Sequence, residues 1–340
     1  MLKDRKMQKK IEVEQPDDNF FQQLPLDLIK SISDEFLNIK HKAILAQTYT
    51  GLNNFFVKNL AEAKANRILE LVAQGNQDGV EKLIRETPEL LTMRTKIIDW
   101  TGRTFQSISP WEYALWALDT RYMANMMLDC IPKGESIRDK LLSQYLSLEK
   151  KGVTYEVDGV TITESHFDFQ PLINSIEFYN ENMSDWANDE RKKQWVNVVG
   201  GEQRKLPVHI RQHYCDPNSP FGDTDGLFQW DIPDFKGKFT RSLDLATPSV
   251  KWCPTEDCGL GVDYAIVRSV SEKPICSTGQ DLWILDNTLS MCISRQVDIL
   301  ALKQLHKVRM DDYTNLKEKL ETLFENEIQI EPSNSSCVMM

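Results

Sequence analysis

LPLDLIKSISDEF, residues 24–36, decides how the chain begins to fold. After Leu24-Pro25, the apolar residues Leu28, Ile29, Ile32, Phe36 and Leu37 recur at the spacing of one helical face. Pro25 suits a first helical position, where a missing N–H costs nothing, and Asp27 favours the positive end of the helix. Asn38 to His41 is a polar break, after which Ile44, Leu45 and Thr48 resume the period. Gly51 interrupts again before Leu52, Phe55 and Phe56. Three short amphipathic helices are expected between residues 24 and 56. A core that small is marginal alone and gains stability when a partner covers part of its apolar surface.

LPLDLIKSISDEF and the following KAILAQTYTGLNNFF (42–56) resemble the two halves of an F-box. The family opens on Leu-Pro before an acidic residue and two staggered aliphatic pairs. The resemblance implies that Leu24, Pro25, Leu28, Ile29, Ile32, Ile44 and Leu45 pack against a Skp1-type adaptor, which connects to a cullin ubiquitin ligase. The chain departs from the pattern at Thr48-Tyr49 and Leu52, where many F-boxes carry Val-Cys and then Trp.

Residues 66–150 read as helical repeats. Gly75-Asn76 is a tight turn between two helices, with Val80, Leu83 and Ile84 on the second. Asp99-x-x-Gly102-Arg103-Thr104, then Ser109-Pro110-x-x-x-Ala114, resemble degenerate ankyrin units, in which the first motif makes a β-turn and the Pro starts the next inner helix. Only about two units are visible, fewer than a solenoid needs, so they must dock on flanking structure. Trp100, Trp111, Tyr113 and Trp116 are aromatic at helical spacing. They fit either a core or a peptide-binding face.

From residue 151 to 325 a mixed α/β domain is expected. VTYEVDGVTI (153–162) reads as a β-hairpin turning at Asp158-Gly159. YAIVRSV (264–270) and LWIL (282–285) read as buried strands. A helix from about Val297 to Phe324 closes the domain, with Val308, Leu316, Leu320, Leu323 and Phe324 as its apolar stripe. Two sets of residues here bear on an enzymatic alternative. His209 and His213 stand at i and i+4, and with Cys215, Cys253 and Cys258 would make a zinc site. The pair lacks the Glu of a zincin motif. Cys215 with His166 or His213 and Asp216 would instead make a nucleophilic cysteine site.

Cys337-Val338-Met339-Met340 fits a C-a-a-X box whose terminal Met favours farnesyl transfer. It follows a polar stretch, Glu331 to Ser336, and the flanking Glu325, Glu327 and Glu331 replace the usual basic cluster. One lipid next to acidic residues gives reversible membrane contact only. The formal charge of −11 argues against nucleic acid as a partner, because the Lys and Arg clusters that phosphate binding needs are confined to the polar tail, residues 1–18. Seven scattered cysteines suit free thiols in a reducing compartment. No apolar run is long enough to span a membrane.

The expected fold class is α+β: an F-box at 19–60, ankyrin-like helical repeats at 66–150, a mixed α/β domain at 151–325 ending in a long helix, and flexible tails at 1–18 and 326–340. F-box, ankyrin-like units and a C-a-a-X box together resemble the AnkB-like effectors that intracellular bacteria such as Legionella send into host cells by type IV secretion. The resemblance implies an F-box adaptor in the host cytosol and at host membranes, binding Skp1 and bringing an unidentified host protein to an SCF-type ligase. No cofactor, metal or catalytic residue is expected of such an adaptor. Two alternatives remain: a cysteine- or zinc-dependent modifying enzyme docked on the ligase by the F-box, or a module that only sequesters Skp1.

Overall fold

The computed structural model describes residues 28–29, 31, 33, 37–48, 50–132, 137–215, 265–267, 275–277 and 290–328. It shows an α+β chain in two compact units, residues 1–63 and 64–340.

In the first unit α1 spans Ile39–Thr48, and α2, Thr50–Ala73, begins here. The Asn38 side chain accepts a hydrogen bond from the His41 amide at 3.0 Å. That bond satisfies one of the open N–H groups of a helix start. The expected polar break at Asn38–His41 is therefore already the opening of a helix. Gly51 likewise lies in the first turn of α2, where it ends nothing. Ala46 and Phe56 form the buried centre, with Ile29, Leu37, Leu45 and Leu60 packed on it.

In the second unit α2 stops at Gly75, whose φ of 66° is open to glycine at little cost. Asn76 then caps α3, Gln77–Glu86, by accepting from the Gly79 amide at 3.0 Å. Strands β1, Thr95–Ile98, and β2, Thr104–Ile108, follow as a hairpin. Ser109 and Glu112 form a capping box that starts α4, Pro110–Trp116, with Pro110 in the first turn. A π-helical turn at Thr120–Ala124 leads into α5, Asn125–Asp129. Helix α6, Ile137–Lys151, delivers the chain to β3, Val153–Val157, and β4, Val160–Glu164. The turn between them is the expected Asp158-Gly159, with φ of 51° and 75°, the left-handed pair that a type I′ turn requires.

The four strands make one antiparallel sheet in the order β1-β2-β3-β4. The division expected at residue 150 therefore runs through a sheet, because Thr104 of β2 pairs with Glu156 of β3. Periodicity placed helices at 66–150 but missed that β1 and β2, only four and five residues long, need β3 to extend their pairing.

Helix α7 spans Gln170–Asn182. Helix α8, Asn188–Lys193, runs through a π-helical stretch, Gln194–Val199, into α9, Gly200–Arg204. Helix α10 is Val208–Cys215. A small second sheet pairs β5, Ala265–Val267, with β6, Ile275–Ser277. Of the two expected later strands, the first contains β5, while residues 282–285 lie outside the described residues. The last helix, α11, spans Ser290–Ile328. Its buried stripe is Leu302, Leu305, Arg309, Tyr313, Leu316 and Leu320. Leu316 and Leu320 were expected there; Val308 is only half-buried, and Arg309 takes the buried position beside it. Leu323 and Phe324 have no described side chain environment. The helix is tied back along the chain by the Arg121–Asp312 ion pair at 2.9 Å and by Tyr145, whose hydroxyl donates to the Tyr313 carbonyl at 3.1 Å.

Gly152 sets the corner between α6 and β3. Its φ is 68°, and a Cβ there would meet the Glu164 backbone at 2.7 Å. Gly159 has a similar φ of 75° but open space around it. Gly159→Ala should therefore cost only the left-handed penalty, about 1–2 kcal/mol. Gly152→Ala should cost more, because backbone must also move. Thermal unfolding of the two variants, with Gly152→Ala melting clearly lower, checks this.

Candidate functional site

Two regions hold the residues that sequence marks as functional. The first is the surface of the N-terminal unit. Neighbouring residues on a helix point about 100° apart, so an aliphatic pair splits between core and solvent. Ile29 packs on the Ala46–Phe56 centre, while Leu28 beside it stays 46% exposed. Leu45 packs on the same centre, while Ile44 is 58% exposed. Ile39 and Val57 are also outward-facing, at 43% and 58%. Sequence reasoning did not single out these last two, although they fall on the same helices. Leu24, Pro25, Ile32 and Cys337 lie outside the described residues.

The second region is the interior of the larger unit. Trp111, Tyr113 and Trp116 are buried, and every residue of α4 is buried with them. A short helix enclosed on all sides has no aromatic face to offer a peptide, which corrects that half of the expectation; Trp100 is half-buried in the hairpin turn. The aromatic side chains are instead committed to internal partners. Trp111 donates from Nε1 to the Leu141 carbonyl at 3.0 Å, and the Tyr113 hydroxyl donates to Asp99 at 3.1 Å. Trp116 donates from Nε1 to Glu164 at 3.0 Å, and Tyr155 donates to the same carboxylate at 2.8 Å. Between them lies Arg103, its guanidinium 5.3 Å from the Trp116 ring, 5.3 Å from Tyr155 and 5.2 Å from Phe167. Burial raises the Glu164 carboxyl, against the opposing pull of its two hydrogen bonds and Arg103.

Deeper still sit two titratable side chains whose closeness the sequence did not reveal. Helix α4 ends with Leu118 at a φ of 58°, a left-handed conformation unusual for a leucine. The turn brings the Asp119 carboxylate 3.8 Å from His209 Nδ1, while Arg309 Nη1 donates to the Leu118 carbonyl at 3.3 Å. Burial pushes Asp119 up from 3.8 to about 6, with the Arg309 charge opposing. Burial, and next the Arg309 charge, hold His209 well below its ordinary 6.5, so it is neutral at pH 7. At 3.8 Å the Asp119 carboxylate is beyond hydrogen-bond reach of the imidazole and does not orient it as a general base requires. The described contacts of this pair also include no nucleophile.

His166 is half-buried, its ring 5.8 Å from that of His306. The side chains of His213 and Cys215, and the whole of Asp216, Cys253 and Cys258, lie outside the described residues. Among the described residues no group of three His, Cys, Asp or Glu is placed to hold a metal. The Cys130 thiol has its pKa raised, first by burial, which keeps it protonated. No described helix is long and apolar enough to cross a membrane.

Together these features define an α+β protein with a small helical unit bearing outward apolar side chains and a larger unit built on buried charge. Residues 171–320 match the model of the CBUA0006 C-terminal domain, which takes in α7 to α10 and most of α11. Over 277 residues the chain is 31% identical to CBUA0006 of Coxiella burnetii, described as an uncharacterized protein, with 76% of each chain covered. The chain belongs to the CBUA0006 family. No solved structure matches it.

His209 and Asp119 give stability terms of opposite sign with pH. Unfolding lets His209 take up a proton near pH 6.5, so acidification toward about pH 6 favours the unfolded chain. Asp119, raised to about 6, binds its proton earlier when folded, so its contribution is present at low pH and is lost as pH rises through 6. His209→Gln should therefore lose less melting temperature than the wild type between about pH 7.5 and 6. Asp119→Asn should lose more between about pH 6 and 4. Calorimetry of each variant across both windows measures the two slopes.

Proposed function

We propose that the chain is an F-box adaptor, which binds a Skp1-type protein through residues 19–60 and brings a target to a cullin ubiquitin ligase. The observation that carries this reading is the split of the two aliphatic pairs. Ile29 and Leu45 build the unit's own small core, and Leu28 and Ile44 remain exposed, available to a partner helix. A surface with that many outward aliphatic side chains on so few residues gains most when another chain covers it. Leu24, Pro25 and Ile32 complete the set on sequence grounds.

The residues from 66 onward would then recruit the target. An ankyrin-like origin for the first part is supported by its order: helices α2 and α3, a hairpin turning on Asp99-x-x-Gly102, then α4 opening on Pro110. Skp1 and cullins are eukaryotic, and the relative in Coxiella burnetii is bacterial. That combination supports an effector working inside a host cell, where farnesylation of Cys337 would give it reversible contact with host membranes.

The test is co-purification with Skp1. Leu28→Asp combined with Ile44→Asp places charge at two exposed anchors, each worth about 1.5–3 kcal/mol when buried. Binding should fall by about a hundredfold or more. The melting temperature should hold, because neither side chain supports the unit's core. Retained Skp1 binding by the double variant would falsify the adaptor reading.

Farnesylation is tested separately. Cys337→Ser should shift the protein wholly to the soluble fraction of host cells while leaving Skp1 capture intact. A farnesyl mass on the wild-type C-terminal peptide is the companion measurement.

A further inference from the structure

The two outer strands of the four-stranded sheet, β1 and β4, are not alike. The ladder beside β1 is broken by a bulge between Thr95↔Ile108 and Ile97↔Phe105, and the strand carries the exposed Lys96. Bulges and edge lysines are devices by which a sheet refuses a further strand. β4 has neither. Its five residues, Val-Thr-Ile-Thr-Glu, pair with β3 at every position from Val153↔Glu164 to Val157↔Val160, with no Pro, Lys or bulge.

Antiparallel strands alternate the direction of their main-chain groups. The two-residue turn makes Val157↔Val160 a hydrogen-bonded pair, so Val160, Ile162 and Glu164 all turn their N–H and C=O toward β3. Thr161 and Thr163 must then turn theirs outward. Among the described residues no main-chain group meets them on that side. Val160, Thr161 and Thr163 are exposed, and Ile162, which shares a face with the buried Tyr155, is half-buried. Charge is uneven along the hairpin: Glu156 and Asp158 are exposed toward its tip, and Lys150 and Lys151 are exposed at its root. Lys205, 3.7 Å from Asp158, takes up part of the charge at the tip. At the root Glu149 is bound by Lys317, and Glu164 is held inward by Trp116 and Tyr155, so neither cancels the two lysines.

We infer that β4 pairs antiparallel with β4 of a second copy of this chain, about a two-fold axis at Ile162, so that the protein is a dimer with one sheet continuous across both copies. Register and charge select this occupant. Centred on Ile162, the pairing overlaps the whole strand and sets Thr161 opposite the partner's Thr163, each pair exchanging both of its N–H···O bonds. On one face Thr lies beside Thr; on the other Ile162 meets its own copy, extending the apolar face begun by Tyr155. A register centred on Thr161 would instead oppose Asp158 and the partner's Glu164, two carboxylates. Antiparallel docking also brings each acidic tip alongside the partner's basic root, whereas parallel docking would set tip against tip. The dimer does not rest on the adaptor reading, and it is measured without Skp1.

Sedimentation of the purified full chain over a concentration series reads the dimer. One pair of short strands is a small interface, so a dissociation constant of about 10–100 μM is expected. Thr161→Lys combined with Thr163→Lys puts like charges opposite each other and should weaken the dimer about tenfold or more. Thermal unfolding should stay close to wild type, because both side chains are exposed. Thr161→Lys combined with Thr163→Glu sets opposite charges across the axis and should restore association. Register is read by cross-linking under mild oxidation, with the wild-type chain as the background for its native cysteines. At the axis the Cα atoms of a non-hydrogen-bonded pair stand about 4.5 Å apart, within disulfide reach. Ile162→Cys should therefore cross-link to its own copy, and Thr161→Cys alone should not. Three results would each overturn the assignment: a monomer at every concentration, which would leave the edge to a strand from another protein; a dimer indifferent to the lysine pair; or Ile162→Cys cross-linking no better than Thr161→Cys.

Discussion

The larger unit depends on one buried ion pair, Asp99 with Arg103, at 3.8 Å. An unpaired carboxylate at this depth would be strongly destabilising, so each of its oxygens must be satisfied. One oxygen accepts from the Thr101 amide at 2.9 Å, the Thr101 hydroxyl at 2.6 Å and the Arg103 amide at 3.1 Å, which shapes the β1–β2 turn. The other accepts from Tyr113 and so fixes α4 against the hairpin. Arg103 carries the compensating charge inward, between rings supplied by α4, β3 and the loop after β4. Four segments distant in sequence are thereby referred to a single charge, and the sheet takes its position from them.

Much of this was legible in the sequence, for reasons that differ by element. Asp158-Gly159 announces its own hairpin because few residue pairs tolerate two left-handed conformations in a row. The long closing helix was visible because its apolar period persists through Leu316 and Leu320. The Asp99–Gly102 turn was also readable as a turn. Its strands were not, since a strand of four or five residues shows little alternation and its partner, β3, lies some fifty positions on. The buried roles of Arg103, Asp119 and Arg309, and the closeness of His209 to Asp119, were not readable for a related reason. A charged residue reads as solvent-facing until its counter-charge and its aromatic neighbours are known, and those come from other elements. Of the candidate binding residues, the pattern set out the two aliphatic pairs, Leu28-Ile29 and Ile44-Leu45. It did not say which member of each pair faces outward, because helix phase depends on where Asn38 caps α1.

The two units solve opposite problems. The small one has too few residues to bury all its aliphatic side chains, so Leu28, Ile39, Ile44 and Val57 stay exposed. The large one has surplus burial, enough to enclose arginines at 103, 138, 191, 211 and 309. Several of their guanidinium nitrogens are buried without a hydrogen-bond partner, so these arginines cost the fold desolvation that its apolar burial must offset.

The placement of α11 has a consequence for how the protein is made. Residues 298–320 supply the wall against which Leu118, Tyr122, Tyr145 and Phe169 pack or bond, and they leave a ribosome well over a hundred positions after those partners. Until they do, the π-helical turn at Thr120–Ala124 lacks Arg309, and Arg121 lacks Asp312. Final consolidation waits on a contact nearly two hundred residues long in sequence, since Arg121 and Asp312 are 191 positions apart. Such closure is slow compared with local helix formation. It leaves an interval in which the polypeptide remains open enough to be held, threaded or degraded before it locks.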